Sequence, residues 1–314
     1  YNGHVQHTAP FYGGGGGPGG WGGAMVIVPW NFYKKFGDKE ILGKYYNRMK
    51  KYLDYLDSRS ENNIVVREED GGWCLGDWCA PDNNNLIPEA FVNTYYHIKC
   101  SMLTKNAAEI LGKTEDVAPL EEKIRVLSEA FIREYYNAET SSFCDGVQGA
   151  DAYALDIGLG NEQTLLNLVE HYEKLGEYDT GIFGTDLVTR MLFEYDYGAL
   201  AFRLMTSDGE ISFANMKRTG TNTLWEPWDG CGSLSHPMFG AVSEYIFTYI
   251  LGIQQTEDSC GWKKVRIEPA DIPEAGDISG SIMTPEGKIS VSVSYCDGVR
   301  AVRFTLPETV ELCD

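Results

Sequence analysis

The chain has 314 residues, a mass of 35.0 kDa and a formal net charge of -20, from 26 basic and 46 acidic side chains. This length favours one large domain with a small second one. The charge argues against nucleic acid and anionic membranes as partners, because both select clustered Lys and Arg. The apolar runs are too short to span a bilayer, which predicts a soluble protein.

Eight cysteines are scattered along the chain without a C-x-x-C pair, a pattern that predicts free thiols with at most one disulfide. His4-x-x-His7 supplies only two imidazoles and no neighbouring residues complete a zinc site, so we expect no metal. The chain begins at Tyr1 and no signal-peptide pattern follows. We therefore expect it to begin inside a longer gene product, and no segment encodes a cellular address.

A glycine-rich stretch occupies residues 12–23, Tyr-Gly-Gly-Gly-Gly-Gly-Pro-Gly-Gly-Trp-Gly-Gly. It lacks the G-K-[ST] and G-x-G-x-x-G patterns of phosphate-binding loops. Because glycine permits close backbone approach, the loop either passes near a ligand or another loop, with Trp21 at a surface, or is simply flexible. Helical character is expected only from Asn31 to Phe36.

From Asp38 onward, apolar residues recur at steps of three and four, which predicts amphipathic helices. Asp38 is placed to cap the first helix, and Gly112 and Gly176 are placed to end two others. After this first helix, further helices are expected at about 88–111, 117–136, 161–175, 184–206 and 236–251. The loops at 58–87, 139–160 and 207–235 hold Gly, Trp, Asp and Asn that helix packing does not need, so we expect them to carry the chemistry.

Beyond about Gly261 the apolar period changes to two. This predicts strands at 264–268, 278–282, 288–295 and 299–306, with turns at 285–287 and 296–298. Helix pairs followed by a small antiparallel β domain indicate an α/α barrel, or an open array of helix pairs, with an attached β-sandwich. We place the domains at 1–258 and 259–314.

Residues 220–240 concentrate the reactive side chains. Glu226 stands between Trp225 and Trp228, and His236 follows in the same segment. Apolar surface on both sides disfavours a charged carboxylate, which suits a group that exchanges protons near neutral pH. Flat indole faces also match the C–H faces of a sugar ring, so the set indicates glycan chemistry. The alternative is a structural Glu–His pair that ties the loop to the core.

Further short motifs extend over nearly the whole chain in a fixed order. They are His7-Thr-Ala-Pro10, Gly19-Gly-Trp21-Gly-Gly-Ala24, Val28-Pro-Trp30, Phe36-Gly-Asp38, Leu75-Gly-Asp77-Trp78, Thr180-Gly-Ile-Phe-Gly-Thr185, Thr223-Leu-Trp-Glu226-Pro-Trp-Asp-Gly230, Ser233-Leu-Ser-His236-Pro-Met-Phe-Gly240 and Thr284-Pro-Glu-Gly287. In this order they resemble the α-L-rhamnosidases of glycoside hydrolase family 78. Each segment alone is weak, but the shared order argues against coincidence.

The resemblance implies a mainly α fold, an (α/α)6 barrel incomplete at its N-terminus and followed by a small antiparallel β-sandwich. It also implies inverting hydrolysis of terminal α-L-rhamnosides without a cofactor. By motif position, Glu226 is similar to the general base that activates water, and His236 to a contact of sugar hydroxyls. Because the loop between them is shorter than in many relatives, the placement of His236 is the less certain of the two. The expected lining of the sugar subsite comprises Trp21 and Trp78, with Trp30, Trp225 and Trp228 added.

The sequence departs from this family at the general acid. Relatives carry an Asp-Cys-Pro-x-Arg-Glu segment upstream of the Gly-Trp-Gly-Gly-Ala region, and no residue here precedes Tyr1. Inverting hydrolysis needs two carboxyl groups about 6.5–9.5 Å apart, so we expect a fragment that lacks its acid. Asp77 is the best in-chain substitute. Glu68, Glu69 and Asp70 are further candidates, for which a solvated acidic turn is the simpler interpretation.

Three functions stay open at this point. The first is hydrolysis of terminal α-L-rhamnosides with Glu226 as base, and the second is sugar binding without catalysis. The third is another α/α-barrel enzyme, a uronyl hydrolase or lyase, although the loops around Glu226 offer only Lys217 and Arg218 to an acidic substrate. The expected partner is carbohydrate. A second copy or the missing N-terminal remainder would cover any exposed barrel face. Relatives often act in or outside bacterial envelopes, which is compatible with a periplasmic or secreted protein.

Overall fold

The computed structural model describes residues 2–8, 16–81, 87–218, 220–297 and 299–313. Within these ranges the α-helices are α1 (Gly19–Phe36), α2 (Lys39–Ser58), α3 (Glu89–Leu111), α4 (Thr114–Tyr135), α5 (Ala150–Asp156), α6 (Glu162–Leu175), α7 (Ile182–Glu194), α8 (Gly198–Thr206) and α9 (Phe213–Arg218). Short 3-10 helices lie at Cys144–Gly149, Met238–Ser243 and Pro273–Ala275, and a π-helical turn lies at Ile246–Ile250. No helix in the described ranges is both long and apolar enough to cross a bilayer.

Two predicted helix ends are confirmed. The Asp38 carboxylate accepts a hydrogen bond from the N–H of Glu40 (2.8 Å) and so satisfies one of the free donors in the first turn of α2. At the end of α3, Gly112 has φ 69°, a left-handed conformation that glycine adopts without a Cβ clash. Helix α3 packs against both α2 and α4, as expected for neighbouring amphipathic helices.

The prediction that the first helix starts at Asn31 is wrong, because α1 already begins at Gly19. Residues 9–15 of the glycine stretch and its surroundings lie outside the described residues. Inside α1, a Cβ atom on Gly22 would lie 1.7 Å from the carbonyl oxygen of Gly17. The glycine is therefore required for close packing of the helix on the preceding chain, and this requirement outweighs its low helix propensity.

Two other helix predictions miss breaks in the backbone. The helix expected at 184–206 is divided into α7 and α8, because Asp196 takes a left-handed conformation (φ 66°) and the N–H of Tyr197 bonds to the carbonyl of Leu192 (2.7 Å). The segment 236–251 forms a 3-10 helix and a π-helical turn instead of an α-helix. Apolar periodicity records which side chains are buried, and it does not record the backbone path between them.

The strands follow the period-two pattern. Two small hairpins pair β1 (Ser60–Glu61) with β2 (Ile64–Val65) and β3 (Tyr136–Asn137) with β4 (Ser142–Phe143). The C-terminal strands are β5 (Ile253–Gln255), β6 (Lys264–Ile267), β7 (Ile278–Thr284), β8 (Gly287–Cys296), β9 (Val299–Thr305) and β10 (Glu311–Leu312). They form the sheets β10-β6-β5 and β7-β8-β9, antiparallel except for the parallel pair β6/β10. Residues of both sheets, such as Val265 and Val291, share one apolar core.

The chain divides into two compact units. The first contains Tyr1–Tyr33, Asp38–Trp78 and Asp82–Leu168, and the second contains Lys34–Gly37, Cys79–Pro81 and Val169–Asp314. An aromatic core in the first unit is built around Phe91, whose ring centroid lies 4.7 Å from that of Phe131 and 5.6 Å from that of Tyr153. The predicted domain boundary between residues 258 and 259 falls between β5 and β6 and stays a prediction.

Candidate active site

The segment around Glu226 folds back on itself. The N–H of Glu226 donates to the carbonyl of Ser233 (2.8 Å), and the N–H of His236 donates to the carbonyl of Leu224 (2.8 Å). These two bonds hold the arms of the loop side by side. Trp225 is buried, whereas the next residue, Glu226, is half-buried.

Trp225 and Trp228 anchor this loop. Trp228 is 2% exposed, its ring lies 4.1 Å from that of Phe239 between centroids, and its indole N–H donates to the carbonyl of Thr180 (2.9 Å). The indole N–H of Trp225 donates to the hydroxyl of Thr221 (2.7 Å). Both indoles were expected to line the sugar subsite. Because they are buried and hydrogen-bonded, they instead hold the loop that carries Glu226 in place.

The bond from Trp228 to Thr180 joins two motifs that are distant in sequence. Thr180 immediately precedes α7, and its hydroxyl bonds to that of Thr185 in the first turn (2.9 Å). The segment 180–185 and the loop 223–240 therefore form one assembly within the second unit. Both segments belong to the motif series found in the sequence, and only the folded chain connects them.

Glu226 and His236 keep partial access to solvent. The carboxylate of Glu226 passes over Gly232, where an added Cβ atom would lie 3.5 Å from its Oε2 and 2.9 Å from Cδ of Pro227. Nδ1 of His236 accepts a hydrogen bond from the N–H of Met238 (3.4 Å), which in a neutral ring leaves the proton on Nε2 as a donor. The loop thus presents one acidic and one imidazole side chain, and a backbone N–H orients the imidazole.

Four predicted site residues, Trp21, Trp30, Asp77 and Trp78, belong to the first unit. Trp21 is half-buried in the first turn of α1, and Trp30 is half-buried with its ring 5.8 Å from that of Tyr33 between centroids. Trp78 is 36% exposed, which leaves much of its ring accessible. The three tryptophan rings therefore keep surface that a ligand could contact.

Asp77 is only 8% exposed and lies beside Tyr153 of α5. Burial, and then the neighbouring Asp77 carboxylate, raise the pKa of Tyr153 well above its usual value. Tyr153 therefore stays neutral over the whole physiological range. Its position next to Asp77 gives that carboxyl group a fixed polar neighbour.

The interpretation of a solvated acidic turn is wrong for Glu68. Glu68 is only 6% exposed. Its carboxylate accepts hydrogen bonds from the N–H groups of Gly16 (2.8 Å) and Gly17 (2.6 Å) and from the hydroxyl of Tyr55 (3.0 Å). A buried carboxylate needs such donors, and here they come from the chain just before α1. Glu68 therefore fixes the start of the helix that carries Trp21.

The neighbours of Glu68 have other roles. Glu69 forms an ion pair with Arg59 (3.2 Å), and Asp70 is exposed, as expected for an acidic turn. His4, half of the two-imidazole fragment, lies 3.4 Å from the Glu68 carboxylate. Across the described ranges, no group of three or more His, Cys, Asp and Glu side chains is placed to hold a metal ion.

Sequence reasoning missed Gln148. Its backbone is left-handed (φ 45°), its side chain is buried, and its amide oxygen accepts the N–H of Ile87 (2.9 Å). This bond fixes Ile87, which lies just before α3. A non-glycine residue in this conformation is strained by about 1–3 kcal/mol, so the surrounding structure must enforce it. Gly146 and Gly149, both left-handed as well, were the available signal in the sequence.

The architecture matches that of known glycosidases. The alpha-L-rhamnosidase of Streptomyces avermitilis complexed with L-rhamnose aligns with a TM-score of 0.89 at 24% identity, over 99% of this chain and 31% of that one. The GH78 family rhamnosidase of Bacillus sp. GL1 aligns with a TM-score of 0.72 at 18% identity, over 93% of this chain and 33% of that one. These likenesses show the fold, and they confirm the predicted class of helical-hairpin glycosidase fold with an attached β-sandwich.

The chain belongs to the bacterial alpha-L-rhamnosidase 6 hairpin glycosidase domain family, whose model matches residues 1–250. The resemblance drawn from motif order is thereby confirmed. An alpha-L-rhamnosidase of Alteromonas sp. (strain LOR) is 28% identical over 316 residues, covering 92% of this chain and 33% of that protein. The chain thus spans about a third of the length of the curated relatives that it matches.

Proposed function

We propose that this chain supplies the sugar-binding and water-activating part of an enzyme that hydrolyses terminal α-L-rhamnosides. Membership of the rhamnosidase domain family supports the substrate class. The observation that carries the proposal is the partly exposed Glu226 on a loop anchored by two buried indoles. A proton-transferring carboxylate has to be held in place and has to be reached by water, and this loop meets both conditions.

In the proposed reaction, Glu226 removes a proton from a water molecule while that water attacks the anomeric carbon of rhamnose. The glycosidic C–O bond breaks, and a second carboxyl group gives its proton to the departing oxygen. The configuration at the anomeric carbon is inverted, since water enters opposite the leaving group. His236, with Nε2 as donor, contacts a sugar hydroxyl. Trp21, Trp30 and Trp78 of the first unit stay predicted sugar contacts.

Asp77 is the in-chain candidate for the second carboxyl group. Its low exposure and its contact with Tyr153 limit its access to a leaving group. This observation favours a second candidate function, in which the chain by itself binds rhamnose without hydrolysing it. An assay of the isolated chain with an aryl α-L-rhamnoside, next to calorimetry with L-rhamnose, separates the two: binding without turnover supports the second function. No observation favours a uronyl hydrolase or lyase.

The Glu226→Gln variant tests the proposed base in the full-length gene product. We expect kcat on an aryl α-L-rhamnoside to fall about 10²–10⁴-fold, because the general base is lost while the amide keeps the shape of the side chain. L-Rhamnose binding should persist. The matched control is Glu210→Gln, at an exposed glutamate of the second unit, which should leave kcat unchanged.

Retention of wild-type kcat by Glu226→Gln would refute the assignment of the base. The stereochemistry is tested separately, by ¹H NMR of the sugar in the first minutes of the reaction. Release of the anomer opposite to that of the substrate supports inversion, and release of the same anomer contradicts it.

A further inference from the structure

A groove that contains none of the predicted site residues lies in the second unit. Its volume is about 420 Å³, within the range of ligand-binding clefts, and it runs between residues 240–248 and strand β7. Its apolar lining includes Phe36, Phe247, Trp262 and Met283. Phe36 and Met283 are 55% and 78% exposed, which is unusual for side chains of this size. We call this cavity the sandwich groove.

Trp262 is held in the sandwich groove by a strained turn. Its φ is 65°, a conformation that bulky side chains rarely adopt. The turn is fixed by two hydrogen bonds: the N–H of Trp262 donates to the side-chain oxygen of Gln255 (2.5 Å), and the N–H of Gly261 donates to the carbonyl of Lys34 (2.8 Å). Strain of this kind clusters at ligand-binding positions, where the surrounding structure enforces it.

The polar part of the sandwich groove carries no net charge. Lys35 and Glu244 form an ion pair of 3.0 Å, and both side chains are about half exposed. Ser243 and Thr248 add hydroxyl groups to the lining, and the Ser243 hydroxyl donates to the carbonyl of Gly240 (2.6 Å), which leaves its oxygen able to accept. Donors and acceptors therefore stand next to aromatic faces, and the neutral pair gives an anionic ligand no advantage.

We propose that the sandwich groove binds a neutral saccharide unit, separate from the site around Glu226. Aromatic rings match the C–H faces of a sugar, and a paired ammonium and carboxylate match its vicinal hydroxyls as acceptor and donor partners. The choice of sugar rests on the proposed function: the unit belongs to the rhamnose-bearing glycan that the enzyme processes. The sandwich groove then holds a second part of the same glycan.

The indole N–H signals of uniformly ¹⁵N-labelled chain test this inference, with each tryptophan assigned by Trp→Phe substitution and methyl α-L-rhamnoside as the probe. We expect the Trp262 signal to shift saturably in the wild type and equally in Glu226→Gln. Phe36→Ala should weaken the apparent affinity at Trp262 at least about threefold, since one ring face is lost. The matched control is Phe304→Ala, an exposed phenylalanine of β9 that does not line the sandwich groove.

Four outcomes are distinguishable. The inference is supported if the Trp262 signal shifts, Phe36→Ala weakens this shift and Phe304→Ala leaves it unchanged. If the Trp21 and Trp78 signals do not move in the same titration, the inference still stands and only the proposed function fails. Movement of Trp21 and Trp78 with a stationary Trp262 overturns the inference and spares the proposed function. A Trp262 signal that responds to protein dilution and not to sugar identifies the sandwich groove as a contact between copies and also overturns it. Equal weakening by both phenylalanine variants overturns it as well.

Discussion

Glu68 and Glu226 show two ways in which one side chain type is used in this molecule. Glu68 is buried and accepts hydrogen bonds from two backbone N–H groups and the Tyr55 hydroxyl. Glu226 is half-buried, and the bonds that position it involve its backbone and the indoles beside it. The Glu68 carboxylate holds distant backbone in place, whereas Glu226 lies half-buried on a loop that two buried indoles anchor.

The comparison teaches that burial, not the neighbouring residue types, separates a structural carboxylate from a candidate base. Both glutamates lie near Gly and Trp in sequence. Only the folded chain gives Glu68 its donors, because Gly16 and Gly17 are distant from it along the chain. A catalytic role requires access to water and substrate, and only Glu226 keeps it.

The largest expected difference between the two glutamates is in stability. Glu68→Ala should lower the free energy of unfolding by about 3 kcal/mol, because it leaves buried donors without a partner. Glu226→Ala should change it by less than about 0.5 kcal/mol, as for most partly exposed positions. Urea unfolding followed by circular dichroism measures both. Equal destabilisation by the two variants would mean that Glu226 is structural, and the comparison would break.

The anchoring of the Glu226 loop is tested by Trp228→Phe. This change removes the hydrogen bond to the Thr180 carbonyl and leaves a cavity beside Phe239, so we expect a loss of about 2 kcal/mol in unfolding free energy. If Glu226 is the proposed base, kcat on an aryl α-L-rhamnoside should fall as well, since the carboxylate loses its fixed position. A stable variant with unchanged kcat would show that the indole does not position Glu226. Tyr178→Phe in the same aromatic cluster removes the Tyr178 hydrogen bond to Thr189 and keeps the ring, so it is the control for loss of a buried hydrogen bond outside the loop.

His97 of α3 extends the comparison to a buried ionisable side chain that has no hydrogen-bond partner within the described ranges. It is fully buried, neither ring nitrogen has a hydrogen-bond partner within the described ranges, and the nearest charge is Asp57 at 3.4 Å, which itself pairs with Lys123. Burial, and then the Lys123 charge, lower the pKa of His97 to about 3. The folded chain therefore keeps this imidazole neutral.

The sign of the pH effect follows from that pKa. As pH falls below about 6.5, the unfolded chain binds a proton at this histidine that the folded chain refuses, so stability decreases by about 1.4 kcal/mol per pH unit down to about pH 3. Urea unfolding of wild type and His97→Gln between pH 7 and 5 isolates this term. The unfolding free energy of the variant should fall less steeply as pH decreases, by about 1.4 kcal/mol per pH unit near pH 5, which corresponds to one proton. The same pH dependence in both proteins would contradict the buried neutral state.

Much of the fold was predictable because local patterns carry it. Asp38 caps α2 and Gly112 ends α3 as their chemistry predicts, and the alternating residues after Gly261 form β6 to β9. The early start of α1 was not predictable, since a glycine-rich sequence favours a helix only when a neighbouring backbone requires the missing Cβ, as Gly17 does for Gly22. The break at Asp196 escaped because apolar periodicity does not record a left-handed turn within a run of buried side chains.

For the candidate site, the sequence by itself determined which residue types stand together: Glu226 between two indoles, His236 in the same loop, and motifs in the order of the rhamnosidase domains. Tertiary structure alone decided their tasks. It buried Trp225 and Trp228 as anchors, gave Glu68 its donors, and set Gln148 in a strained turn that holds Ile87. The physical reason is that burial and hydrogen bonding depend on groups distant in the chain, whereas composition and spacing record only neighbours.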